Sequence, residues 1–311
     1  MAYYTPLPSR PNRDGPERFL NIVDGKSSAV QRALRRDGLA GYEPPTMAAI
    51  LAALEMQTPG FTFFDVGANI GLYSSLCATL FDPAHVVAFE PTPTTALIAA
   101  KIARINHTGA RLEEIALGRE PGTARLYLSA TSDSSNSLVE GFKKNVGTVD
   151  VEVEPLDSFV QRTSLVPDVV KIDAETFEPE ILAGARRTLD EHRPLLIVEV
   201  LNRRGHDHGE EMMAAMDGLG YSYYHCSTYS DWQPAARITG DETGAAGDWL
   251  FAATPLPPAF RASVEAWEEA VSRCTADRNT SVLPDPENVV AQPLLDRARD
   301  LYGRTRRLIG R

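Results

Sequence analysis

The sequence predicts an α/β protein built on an open, mostly parallel sheet, and three observations carry that reading. Residues 61–71, Phe-Thr-Phe-Phe-Asp-Val-Gly-Ala-Asn-Ile-Gly, form a short apolar, β-prone run that closes on an acid and a turn with two glycines. Similar apolar runs recur at 85–90, 168–173 and 193–200, each with an acid at or near its end (Glu90, Asp173, Glu199), and helical patterns separate them. Runs at 221–226 and 249–254 then follow one another with no helix between, so the last strand is expected to run antiparallel to the rest.

The turn at 67–71 indicates the kind of ligand. A strand, a glycine turn and a helix over 72–80 make a nucleotide pocket, because amides of the first helical turn face whatever sits above it. Gly67 and Gly71 permit the tight turn and a close approach to bare backbone. The spacing is Gly-x-Asn-x-Gly through Asn69, not the Gly-x-Gly-x-x-Gly of dinucleotide sites. Asp65, directly before the loop, would repel a pyrophosphate but suits a cationic amino group such as that on the aminocarboxypropyl arm of S-adenosylmethionine.

Composition narrows the classes. A chain of 311 residues with 43% hydrophobic content can bury a sizeable core. No run approaches the roughly 18 apolar residues of a membrane span, and the first 14 residues lack an apolar signal core, so a cytoplasmic protein is expected. Cys77, Cys226 and Cys274 are odd in number and widely spaced, which argues against a disulfide framework and a zinc site. A net charge of −11 disfavours a nucleic-acid partner and fits a small or neutral acceptor.

In chain order, 1–45 reads as an N-terminal arm with a helix over 27–36, and a proline-started helix over 47–56 leads into the strand at 61. Glu90, 19 residues beyond Gly71, stands where a strand-tip carboxylate accepts the hydroxyls of a ribose. A helix over 93–106 precedes a third strand, 111–117, whose small Ala116 lets a flat adenine ring lie against backbone. Strand alternation at 122–128 and 149–155 predicts a hairpin around the polar stretch 129–147, where serines and Asn136 can line an acceptor pocket if the loop folds over the sheet.

Asp173 and Glu175 follow the strand at 168–173 and should share the crevice of Asp65 and Glu90, as general base or to orient a hydroxyl. Capping of the helix that follows is the competing role for Asp173. His206 and His208, after the strand at 193–200, are reserve bases, and their spacing around Asp207 is weak for a metal. Beyond residue 255, helical runs at 258–274 and 293–309 form a C-terminal extension, the latter arginine-rich and expected to pack on the domain or on a second copy. The expected division is therefore 1–45, 46–255 and 256–311.

The combination Phe64-Asp65-Val66-Gly67-Ala68-Asn69-Ile70-Gly71-Leu72-Tyr73-Ser74, Phe89-Glu90-Pro91, Ala116-Leu117-Gly118, Lys171-Ile172-Asp173-Ala174-Glu175, Glu178 and Ile181-Leu182-Ala183-Gly184-Ala185 resembles the FkbM family of methyltransferases, from about residue 42 to 255. The resemblance implies a class I methyltransferase sheet of seven mostly parallel strands and S-adenosylmethionine as cofactor. It further implies that Asp65, Gly67, Asn69 and Gly71 hold the methionine arm, Glu90 the ribose and Ala116 the adenine, that Glu43 closes over the cofactor carboxylate, and that Asp173 contributes to the same pocket. One departure is Thr176, where the family usually has glycine; it puts in doubt any turn there that needs positive φ.

The expected reaction is O-methylation of a small metabolite (a sugar, polyketide or other natural product), in which the protein aligns acceptor and methyl and removes one proton. Two alternatives stay open at this level: an NAD-dependent oxidoreductase of Rossmann type, and a non-catalytic cofactor-binding subunit.

Overall fold

At the centre of the sheet, β3 (Thr62–Val66) pairs in parallel with β9 (Val169–Ile172), setting Phe63 against Val169 and Asp65 against Lys171. The computed structural model describes residues 2–9, 18–23, 28–129, 136–139, 145–202, 208–227, 233–241 and 247–276. From β3 the sheet extends one way through β4 (His85–Phe89) to β5 (Arg111–Glu113). The other way it runs through β10 (Leu195–Glu199) and β12 (Asp248–Ala252) to β11 (Ser222–His225), giving seven strands in the order β11-β12-β10-β9-β3-β4-β5. Only β12 is antiparallel to its neighbours, as the adjacent final strands predict. This is the class I methyltransferase sheet that the resemblance implies.

Strands buried on both faces read as continuous apolar runs, and the two faces sort cleanly here. Phe63, Val169, Ile197 and Leu250 belong to one apolar cluster, while Phe64, Val170, Val198 and Phe251 belong to the other. The first is covered by α2 (Pro44–Glu55), α3 (Leu72–Leu80), α4 (Pro93–Ile105) and α9 (Pro258–Ser272). The second is covered by α5 (Leu156–Thr163), α6 (Glu178–Ala183), α7 (Arg186–His192) and α8 (His208–Met216). Helix α2 is apolar all round and buried from Thr46 to Leu54, as a helix between a sheet and another helix must be. Its end is tied to α9, where Ser263 Oγ and Trp267 Nε1 donate to Glu55 Oε2 at 2.6 and 3.1 Å.

The N-terminal arm contains more than the expected helix. Strands β1 (Ala2–Pro6) and β2 (Phe19–Val23) pair antiparallel, and α1 (Ala29–Asp37) follows a reciprocal capping box between Ser28 and Gln31. Leu20, Ile22, Val30 and Leu34 join the same apolar cluster as α2. The expected strand over 111–117 is divided. Its first part is β5, and after Glu114 and Ile115 the chain enters β6 (Ala116–Leu117), which leaves the main sheet to pair with β8 (Asn145–Glu154). Strand β8 forms the expected hairpin with β7 (Gly122–Ser129). The helical run expected over 293–309 lies outside the described residues.

Candidate active site

The carboxyl ends of β3, β4 and β9 open into a cleft of about 710 Å3, counted out to its solvent-open mouth. Gly67, Asn69, Glu90, Ala116, Asp173 and Glu175 all line it, so six positions from four separate stretches of sequence converge.

At the β3 end, the loop amides are turned largely onto the protein. Gly67 and Ala68 donate to the Phe89 carbonyl at 3.0 and 2.9 Å, and Asn69 donates to Glu90 Oε2 at 2.9 Å. Thr92 N–H binds Glu90 Oε1 at 2.8 Å, so two backbone donors aim this buried carboxylate at the end of β4. The absence of a side chain at Gly67 serves a backbone contact. At its φ of 74° a Cβ would lie 1.8 Å from the Asp173 carbonyl oxygen, so only glycine lets the β3 and β9 loops meet.

Asp65 and Gly71 lie behind the cleft wall. Asp65 is fully buried and caps α3, with its Oδ2 accepting Ser74 N–H and Oγ–H at 2.9 and 2.7 Å. Burial raises its carboxyl above the ordinary range against the pull of Lys171 and Ser74. Its Oδ1 is buried and has no hydrogen-bond partner among the described residues. Gly71 starts α3 in the left-handed region.

The third wall is the turn after β9. Glu178 Oε1 accepts the N–H groups of Ala174 and Thr176 at 2.7 and 3.3 Å. Desolvation pushes the Glu178 carboxyl up to about 8, with Asp173 and Glu175 adding to the rise against its backbone hydrogen bonds. The turn that glycine would favour is kept in its absence, with Glu175 at φ 53° and Thr176 at φ 78°. With Glu43 at 45° and Asn69 at 50°, four of the seven positive-φ non-glycine residues among those described surround this site. Such backbone costs about 1–3 kcal/mol per residue and collects at functional sites.

Strand register creates a polar row that no single stretch of sequence reveals. Asp65 and Lys171 are cross-strand neighbours, and one step nearer the strand ends come Asp173 and the opposed pair Glu199 and Asp248. Lys171 is 3% exposed, and its Nζ lies 2.9 Å from Asp173 Oδ2 and 5.1 Å from the centre of the Tyr73 ring. Burial works against its charge, but Asp173, Asp65 and Glu43 outweigh it and hold the ammonium above the ordinary lysine range. Tyr73 in turn donates to Glu43 Oε2 at 3.0 Å. Glu43 is exposed as a residue and is not among the cleft-lining residues, but its carboxylate turns inward to Tyr73, and desolvation together with Asp248 and Asp173 raises it to about 8. Asp248, which accepts the Thr46 hydroxyl, is raised to about 6, chiefly by burial.

Of the remaining expected residues, His208 pairs with Glu211 on its own helix at 3.2 Å and is not among the cleft-lining residues. His206 lies outside the described residues. Asn136 and Ser137 line the cleft, one bonded on the Glu90 side and the other on the Glu175 side. Asn136 Nδ2 donates to Thr92 Oγ1 at 3.4 Å, and Ser137 Oγ to the Glu175 carbonyl at 2.7 Å. Lys171, Tyr73 and Asp248 are additional to the expected set. Of these, Lys171 leaves the clearest mark in the sequence, as a charge inside an otherwise apolar strand. No group of three or more potential metal ligands occurs among the described residues, and none of their helices is long and apolar enough to cross a membrane.

The arrangement fits a nucleoside with a zwitterionic tail: an aimed carboxylate at Glu90, the small Ala116 beside it, and a carboxylate-rich end at Asp173 with the unsatisfied Asp65 oxygen behind. The model of the methyltransferase FkbM domain matches residues 65–223. The chain is 32% identical over 158 residues to the hexuronic acid methyltransferase AglP of Haloferax volcanii, covering 47% of this chain and 59% of that protein. It is 25% identical over 164 residues to Methyltransferase 1 of Beauveria bassiana, covering 45% and 65% respectively. The chain thus spans about three fifths of the length of these curated relatives. Among solved structures it aligns with methyltransferase FkbM from Methylobacillus flagellatus at a TM-score of 0.39 and 15% identity, covering 63% of this chain and 44% of that one. An O-methyltransferase from Bacillus cereus in complex with SAH aligns at 0.38 and 11%, covering 68% and 80%.

Proposed function

Because the chain belongs to the FkbM methyltransferase family, with just over half of it matched by the domain model, we propose that it transfers a methyl group from S-adenosylmethionine to a hydroxyl of a small metabolite. The observation that carries this reading is the convergence on one cleft of the Gly67–Asn69 loop, Glu90 and Asp173, from three separate strand ends. In the proposed assignment Glu90 receives the ribose hydroxyls, and Ala116 with its apolar neighbours receives the adenine. Asp173, Glu43 and the loop at Asn69 surround the amino-acid tail.

S-adenosylmethionine supplies a methyl already activated on a sulfonium, so the demands on the protein are alignment and removal of one proton. Asp173 and Glu175 both line the cleft: Glu175 takes the acceptor's proton, while Asp173, ion-paired with Lys171, orients the acceptor hydroxyl against the amino-acid tail. Sugar-derived acceptors fall within this class, a choice supported by the name of the Haloferax relative. A small acceptor, not a nucleic acid, fits the net charge of −11. The Gly-x-Asn-x-Gly spacing argues against a pyrophosphate cofactor.

The test is to incubate the protein with S-adenosylmethionine and a panel of sugars and polyols and to measure released S-adenosylhomocysteine. Acceptor-dependent release that NADH does not inhibit is expected. Absence of cofactor binding, or binding of NADH in its place, would overturn the proposal.

A further inference from the structure

The geometry points to Lys171 as the positioning residue of this site: its ammonium fixes the Asp173 carboxylate at the cleft and, through the Tyr73 ring, the Glu43 carboxylate next to it in the polar row, so that both act on the amino-acid tail of the cofactor. The inference rests on the reading of the cleft as an S-adenosylmethionine site.

Three contacts make the chain. Lys171 Nζ reaches Asp173 Oδ2 at 2.9 Å, the same ammonium lies 5.1 Å from the Tyr73 ring centre, and the Tyr73 hydroxyl donates to Glu43 Oε2 at 3.0 Å. These residues come from β9, α3 and the segment entering α2, so one buried charge spans three elements that close the site. A buried lysine is costly unless paired, and an ammonium in hydrocarbon is retained where its partners need it. Here the partners are many. Lys171 is the cation that draws down Glu43, Asp65 and Asp248 together. Lys171 is itself 3% exposed and does not line the cleft, so it acts on a ligand through Asp173, which does.

The groups facing Glu43 determine its titration. They are Tyr73 from α3, Lys171 from β9, Asp173 directly after it, and Asp248 from β12; Lys171 and Tyr73 favour its charged form, while burial, Asp173 and Asp248 oppose it. Glu43 therefore gains its charge as pH rises through about 8. A cationic α-amino group on the ligand should be held more tightly above that pH. Removing Lys171 takes away an attractive charge and moves the transition upward.

The experiment is isothermal titration of S-adenosylhomocysteine, which carries the same amino-acid tail, into wild type and Lys171→Met from pH 6.5 to 9.5, at a temperature where circular dichroism shows both folded. Wild type should bind more tightly as pH rises from 6.5 towards about 8, below the point where the ligand's own α-amino group loses its proton. Lys171→Met should bind at least about tenfold more weakly at pH 8, the scale of losing a charge-assisted contact. Over that range its affinity should stay flat, because its Glu43 transition lies higher, where the ligand's amino group is itself losing its proton. A folded Lys171→Met with wild-type affinity and pH profile, whatever its melting temperature, would overturn the proposal. Should that variant fail to fold, Tyr73→Phe decides: it removes only the link to Glu43, and an unchanged affinity and pH profile would overturn the inference. No binding by wild type at any pH would overturn the cofactor assignment instead.

Discussion

Glu90 Oε2 accepts the backbone N–H of Asn69 at 2.9 Å, so the acid at the tip of β4 holds the turn at the tip of β3 in place. Its other oxygen does the same for Thr92 N–H at 2.8 Å. A residue expected to meet a ribose is therefore also a structural clamp. Glu90→Ala leaves two backbone donors without their acceptor, each costing about 1–3 kcal/mol. The variant should melt several degrees below wild type and bind S-adenosylhomocysteine at least tenfold more weakly, by thermal denaturation and titration calorimetry.

Thr176 occupies a backbone conformation at φ 78° that a β-branched residue rarely adopts. Thr176→Gly relieves about 1–2 kcal/mol of left-handed strain, partly offset by the greater freedom of glycine in the unfolded chain. The variant should melt at or slightly above the wild-type temperature, and Thr176→Val should melt no higher than wild type. A clear loss of stability in Thr176→Gly would contradict the strain.

Gly67→Ala places a methyl against the Asp173 carbonyl, where an ideal Cβ would lie 1.8 Å from the oxygen, at a φ of 74°. Strain and overpacking together should cost at least about 2 kcal/mol. Because the clash pushes the β3 and β9 loops apart, cofactor binding should be lost even in the fraction that remains folded at low temperature. Calorimetry on folded protein in the cold checks this.

Glu178 gives a pH dependence with a defined sign. Its carboxyl titrates near 8 when folded against an ordinary 4.5. Between those values the unfolded chain has already released its proton while the folded protein keeps it, so stability falls as pH rises through this window. Glu178→Gln, which retains an acceptor for Ala174 N–H, removes that contribution. Melting temperatures at pH 5 and 8.5 should differ less for the variant than for wild type.

Much of the fold is legible in the sequence because the main strands are buried on both faces and so appear as unbroken apolar runs. The tip acids Glu90 and Asp173 and the Gly67 turn are legible for the same reason, each interrupting such a run at its end. The β1–β2 hairpin escapes because Tyr3, Tyr4, Pro6 and Pro8 show no clean alternation and its two strands are distant in sequence. Lys171 is visible, but its meaning depends on the register that sets it against Asp65, more than a hundred residues earlier. The inward turn of Asp65 onto Ser74 is likewise hidden, since a strand-tip acid reads the same whether it caps the next helix or meets a ligand.

Titration calorimetry of the wild-type protein with S-adenosylmethionine, with NADH as a parallel titrant, tests the central claim most directly. Saturable binding of S-adenosylmethionine at one site per chain, weakened at least tenfold in Glu90→Ala and with no heat from NADH, is the predicted result. Binding of NADH, or no binding of S-adenosylmethionine at millimolar concentration, would contradict it.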